Sequence, residues 1–256
     1  MSRSKWSDLA SGVMSPVLAV GLVLGAAGAA AAAPEGGKYE VKPVTDGGSL
    51  SGTVKWSGPP QAKKMLQVTK DHETCGQEVA NQELLVGANG GLKNAIVSVD
   101  GIKAGDAFKA DAPIVFDQKE CLFLNRVTVV PVGATLDVRN SDNILHNTHF
   151  NAVKNKGENF AIPAGKAQTY PVKAVENIKV TCDIHPWMSS YVVARDNPYF
   201  AVTDDNGNFT IKNIPPGKYK VSVWQETVGK AGAAAVEIEI KAGAESKQDF
   251  ELKPKG

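Results

Sequence analysis

Cysteine is scarce in this chain of 256 residues: there are three, at Cys75, Cys121 and Cys182, and none forms a C-x2-C pair. That argues against a cysteine-rich structural zinc site, and the lack of C-x-x-C-H excludes covalent c-type haem. Charge of one sign is not in excess either, with 28 Lys and Arg against 27 Asp and Glu. Without a basic stripe interleaved with aromatics, nothing points to nucleic acid as a partner. There is no glycine-rich phosphate loop, no G-x-S-x-G elbow and no H-E-x-x-H, so no catalytic constellation emerges and the chain is not expected to be an enzyme. Past the N-terminus no hydrophobic run is long enough to span a bilayer, and no stretch has the periodicity of an amphipathic helix.

The one long apolar run is N-terminal. Residues 1–33 begin with Arg3 and Lys5, run apolar from Val13 to Ala33 and end in small residues. This is the pattern of a secretory signal peptide, cut within the alanine run before Pro34. The alternative is an uncleaved membrane anchor, which would be the chain's one contact with a membrane. No cysteine stands near the cut, which argues against a lipoprotein anchor. Because Arg3, Lys5 and Asp8 belong to this segment, the remainder is formally neutral. The expected location is periplasmic or otherwise exported. In such a compartment three cysteines suggest one disulfide and one cysteine with other work. The pairing expected is Cys75 with Cys121, separate buried thiols being the alternative.

The remaining pattern is β throughout. Leu50, Gly52, Val54 and Trp56 alternate with polar neighbours, as do Leu136 and Val138, and then Val236, Ile238 and Ile240. Such alternation marks half-buried strands. Ile96–Val99 reads as a further strand, and Tyr219, Val221 and Val223 as another. Asn206-Gly207, set between Phe200–Thr203 and Phe209–Ile211, predicts a hairpin. Roughly 220 residues past the leader leave room for two small β-sandwiches.

The chemistry concentrates in Val180–Tyr191, which carries Cys182, His185 and Met188 in a C-x2-H-x2-M spacing. His146 lies in a second motif, Asn140–Phe150. Singly, each residue is more often a buried hydrophobe, core filler or a hydrogen-bonded histidine than a metal ligand. Together, a thiolate, two imidazoles and a weak thioether are the donor set of a blue-copper site, with Met188 as the long axial contact. Zinc is the competing metal, but it prefers four strong ligands and binds a thioether poorly. His149 is a further imidazole. Three residues on from His146 along a strand, it should point to the opposite face, so a role outside the ligand set is expected.

The two motifs, Asn140-x-Asp142 leading to His146-Asn147 and Cys182-x2-His185-x2-Met188, resemble those of the cupredoxins over residues 111–196. The short ligand loop is most similar to that of amicyanin, and the His-Asn pair with a following aromatic is similar to plastocyanin. The resemblance implies an antiparallel Greek-key sandwich holding one type 1 copper ion through His146, Cys182, His185 and Met188. It also implies that Asn147 ties the two ligand loops together. Asp183 departs from the family's usual Ser or Thr after the cysteine. The flanks, residues 45–102 and 197–255, resemble a carboxypeptidase regulatory-like sandwich of the transthyretin type, into which the cupredoxin would be inserted. A Cys75–Cys121 bridge would then tie host to insert. The alternative is a cupredoxin with added terminal strands.

The function expected is one-electron transfer, with a c-type cytochrome or a periplasmic oxidoreductase as partner. The electron would pass through a solvent-side imidazole, His185. Pro186 and Trp187 would form an apolar docking patch beside it, or Trp187 would pack between the sandwiches. Copper storage or delivery is the first alternative reading, and a structural or adhesive β-sandwich protein the second.

Overall fold

The computed structural model describes residues 39–59, 64–108, 113–228 and 235–254. The leader assigned to residues 1–33 lies outside the described residues. Among those described, no helix is long and apolar enough to cross a membrane. The described residues are all-β, with one four-residue helix among them, His72–Cys75.

Two hydrophobic cores organise the strands. The first lies between a sheet ordered Ala167–Pro171, Thr135–Asn140, Ile114–Lys119, Leu122–Phe123 and a sheet ordered Glu158–Ile162, His146–Asn151, Glu176–Thr181, Ser189–Arg195, Val127–Pro131. Alternate residues of both sheets point inward, as a pleated strand requires. Phe116, Leu136, Val138 and Tyr170 come from one sheet, and Phe150, Ile162, Ile178, Val180 and Val192 from the other. Phe150 and Tyr170 stack across the gap with ring centroids 3.8 Å apart, a contact of about 1 kcal/mol beyond its burial. The sheets of this sandwich are mostly antiparallel, with two parallel pairings. Thr135–Asn140 pairs parallel with Ile114–Lys119, and Ser189–Arg195 pairs parallel with Val127–Pro131.

The second core lies between Phe200–Val202, Ile96–Asp100, Gly217–Trp224, Val236–Ile240 on one side and Asn208–Ile214, Gly48–Trp56, Glu245–Lys247 on the other. Phe250–Leu252 extends the latter sheet through a parallel pairing with Gly48–Trp56. Leu50, Val54, Val97, Val99, Ile211, Val221 and Val223 fill the space between.

Two expectations fail here. The hairpin at Asn206-Gly207 does not form. Its turn is present, with Gly207 N–H donating to the Asp204 carbonyl, but Phe200–Val202 pairs with Ile96–Asp100 while Asn208–Ile214 pairs with Gly48–Trp56, in the facing sheet. The Asp204 carboxylate accepts from the amides of Asn206 and Asn208 and turns the chain from one layer to the other. The second failure concerns Met65–Ala80, expected in the flanking sandwich. Val68, Cys75 and Val79 of this stretch join the first core instead. The disulfide Cys75–Cys121 therefore fastens this segment to the sandwich that carries the ligand motifs.

Candidate metal centre

The strand Glu176–Thr181 delivers Cys182 at its end, and the strand beginning at Ser189 leads away from Met188. Thr181 faces Ser189 in register, so the seven residues between them form a closed loop. Cys182 N–H donates to the Met188 carbonyl at 3.2 Å, and Met188 N–H to the His185 carbonyl at 2.9 Å. His185 N–H points at Cys182 Sγ, 3.4 Å away. The C-x2-H-x2-M spacing thus turns its first two members toward one point, and Met188 is fully buried in the same core as Cys182.

His146 begins the neighbouring strand and reaches that point from across the sheet. Its Nδ1 lies 2.8 Å from His185 Nδ1, and Cys182 Sγ lies 3.7 Å from the same His185 atom. Donor atoms of His146, Cys182 and His185 all lie within 4.8 Å of one another, and all three residues are buried.

The far side of each ring is held by a carboxylate. His146 Nε2 lies 2.8 Å from Asp142 Oδ2, and His185 Nε2 lies 2.8 Å from Asp71 Oδ2. A neutral imidazole carries one N–H. If both rings donate it through Nε2, two bare lone pairs face each other across 2.8 Å, a repulsion that a cation between them would relieve; with the proton on one Nδ1 the same contact is a hydrogen bond. A carboxylate behind the imidazole is also the usual support of a metal-bound histidine. Burial lowers the pKa of His146, against the opposing pull of its bond to Asp142, and so favours the neutral ring that a ligand must be. Burial pushes the Cys182 thiol up, while the amides around it pull the other way, and a bound cation is what would hold it as thiolate. The donor set therefore fits a soft, thiolate-binding metal ion.

Asn147 connects the two motifs. Its Oδ1 accepts from the amides of Asp183 at 2.8 Å and Ile184 at 3.1 Å and from the Cys182 thiol at 3.3 Å, while its Nδ2 donates to Asn159. His149 is at the surface, on the opposite face of the strand from His146. Its Nδ1 lies 3.1 Å from Asp183 Oδ2, away from the cluster, and that carboxylate also accepts from Asn159 Nδ2. The bond from His149 is the chief reason that the Asp183 carboxyl sits below its ordinary range.

Two placements differ from the sequence reading. His185 is not on the solvent side: it is 0 % exposed, because Asp71 and the segment ahead of the helix His72–Cys75 cover its Nε2. Trp187 is not presented at the surface, nor is it packed between the two cores. It is 8 % exposed, its ring lies against His185, and its Nε1 donates to the Cys121 carbonyl. Pro186 is exposed beside it. Asp71 and Asp142 are the residues that sequence reasoning missed. Asp142 stood inside the quoted Asn140-x-Asp142 motif, whereas nothing local marks Asp71, 114 residues from its partner.

The model of polysaccharide lyase family 4, domain II, matches residues 185–248. No curated protein matches the chain. Among solved structures, an amicyanin variant in its reduced state is 24 % identical, covers 34 % of this chain and 87 % of its own, and gives a TM-score of 0.31. The purple cupredoxin of Nitrosopumilus maritimus is 22 % identical, with 33 % of this chain and 100 % of its own covered and a TM-score of 0.29. The copper-containing nitrite reductase of Thermus scotoductus SA-01 is 16 % identical over 35 % of this chain, with a TM-score of 0.32, and the match spans 24 % of that enzyme.

Proposed function

We propose that this chain is an exported copper protein that passes single electrons, not an enzyme. The observation that carries the reading is the meeting of His146 Nδ1, His185 Nδ1 and Cys182 Sγ in one buried cluster, with both Nε2 atoms on carboxylates. His146, Cys182 and His185 would hold the ion, with Met188 as a weak fourth donor. When bound, copper supplies a one-electron couple between its two common oxidation states.

The protein's part is to keep the donors fixed and dry. Asn147 locks the start of the ligand loop to the His146 strand, and the closed hydrogen bonding of Cys182–Met188 keeps that loop from opening. Asp142 and Asp71 hold each ring by its outer nitrogen, so that neither imidazole can turn away. Rigid donors cost little reorganisation when charge changes, which suits transfer better than metal exchange. Copper storage or delivery would draw on His149 as a spare ligand, and that ring is engaged with Asp183 instead. A c-type cytochrome or a periplasmic oxidoreductase is the partner that fits an exported carrier.

The test is to load the purified chain with Cu(II) and record its visible spectrum. An intense thiolate charge-transfer band, lost in Cys182→Ser, is expected. A colourless complex, or a band that survives the substitution, would sink the reading.

A further inference from the structure

The carboxylate on His185 comes from a segment whose geometry serves that contact. Asp71 stands just ahead of the helix His72–Cys75 with φ 55° and ψ 36°, a left-handed conformation that a side-chain-bearing residue rarely adopts. An aspartate in this position ordinarily turns its carboxylate back onto the first amides of the helix. Here it makes no such bond, and the Asp71 carbonyl takes the amides of Thr74 and Cys75 instead. The carboxylate is left free to reach His185 Nε2 at 2.8 Å. Strain and a forgone cap at one residue indicate that the surroundings hold it for another purpose.

What holds it is the cross-link. Four residues after Asp71, Cys75 is bonded to Cys121, whose own amide donates to Asp142 Oδ2 at 2.9 Å, and Asp142 holds His146. Thr74 Oγ1 adds a bond to Asn143, one residue beyond Asp142. A single S–S bond thus joins the supports of both imidazoles. The Asp71 side chain is 43 % exposed and that of His185 is 0 % exposed, so Asp71 is the layer between ring and solvent.

We propose that Asp71 is a positioning residue that covers the outer edge of His185, and that the Cys75–Cys121 disulfide locks this cover shut. Breaking the lock takes two electrons and two protons. A dithiol reductant supplies them, the S–S bond breaks, each sulfur leaves as a thiol, and the reductant closes to a cyclic disulfide. The segment bearing Asp71, a short hairpin of Met65–Gln67 on Glu78–Ala80, is then held to the sandwich by the packing of Val68 and Val79 and by Thr74 on Asn143, without a covalent tie, and the His185 edge opens to solvent and to partners. The consequence for electron exchange rests on the copper reading, but the cover itself does not.

Metal-free protein therefore tests it. Diethyl pyrocarbonate acylates accessible imidazoles, and mass spectrometry reads each site. In the oxidised chain His185 should react at least about tenfold more slowly than surface His149. Asp71→Ala, and separately reduction by dithiothreitol, should bring His185 to within about threefold of His149, while Asp71→Asn, which keeps an oxygen acceptor, should restore much of the protection. Buried His146 reports global unfolding. If His146 becomes reactive on reduction, the Asp71→Ala chain, with its cross-link intact, decides. Rapid labelling of His185 in the oxidised chain would overturn the proposal, as would unchanged protection in Asp71→Ala. Absence of a copper band would leave these rates untouched, so the two readings fail separately.

Discussion

His146 Nδ1 and His185 Nδ1 approach to 2.8 Å inside a fully buried cluster. Burial there disfavours the charged form of His146, and the neighbouring ring disfavours it further.

Acid should therefore destabilise the metal-free chain. Burial holds the folded pKa of His146 below its unfolded value of about 6.5. In the window between the two values the unfolded chain takes up a proton that the folded chain refuses, so stability falls as pH drops through about 6.5 and stops falling below the folded pKa. Urea unfolding of metal-free protein between pH 8 and pH 5 should show that slope, and His146→Gln should flatten it. An unchanged slope in the variant would place its origin elsewhere.

Asn147→Ala removes the acceptor of two loop amides and of the Cys182 thiol. Each unmatched amide costs about 1–3 kcal/mol, so the two put the expected loss in metal-free stability at about 2–6 kcal/mol, with any copper band weakened as well. Denaturant titration beside the loaded spectrum checks both. A loss under about 0.5 kcal/mol would mean that water replaces the side chain without cost.

The disulfide closes a span of 46 residues, for which chain entropy predicts about 4 kcal/mol of stabilisation at 25 °C. Cys75→Ser/Cys121→Ser should unfold at correspondingly lower denaturant. The first core should be affected more than the second, since Cys75 and Cys121 both belong to it. Chains that keep a single tryptophan separate the two by fluorescence: Trp187 lies in the first core and Trp56 against the second.

Arg126 and Glu226 form a two-pronged ion pair, with side chains 5 % and 8 % exposed, and Arg126 also donates to the carbonyl and hydroxyl of Ser189, the residue after Met188. Burial pushes the Glu226 carboxyl up, against the pull of Arg126. Glu226→Ala leaves a buried guanidinium with half its partners and should cost about 3–5 kcal/mol. The double change Arg126→Met/Glu226→Leu should cost clearly less. Thermal unfolding of the three chains checks the order.

Much of this could be read from residue order, and the remainder for one reason could not. Strand alternation is a local signal, so Gly48–Trp56, Thr135–Asn140 and Val236–Ile240 were legible. The ligand loop was legible because its residues lie within seven positions. Choice of strand partner is not local: Asn206-Gly207 specifies a tight turn, but which sheet each flanking strand joins depends on the edges offered by Ile96–Asp100 and Gly48–Trp56. The same holds for Asp71. Its role depends on a disulfide and on a histidine 114 residues away, and an aspartate before a four-residue helix looks like any other. Trp187 had two readings in the sequence because an indole serves equally as a surface patch or as packing, and burial beside Cys121 is what distinguishes them.

The parallel pairing of Gly48–Trp56 with Phe250–Leu252 has a mechanical side. Tension applied at residue 48 and residue 252 would pull these neighbouring strands in opposite directions along their length. Their hydrogen bonds, with those of Glu245–Lys247 on the same strand, would then be loaded in shear, all at once, and not peeled one by one. The stretch from Ile114 to Arg195, which holds His146 and the ligand loop, branches off from this path and would carry none of the load until the shear pair yields. A chain tethered at both ends could thus be stretched without its buried donor cluster being drawn apart.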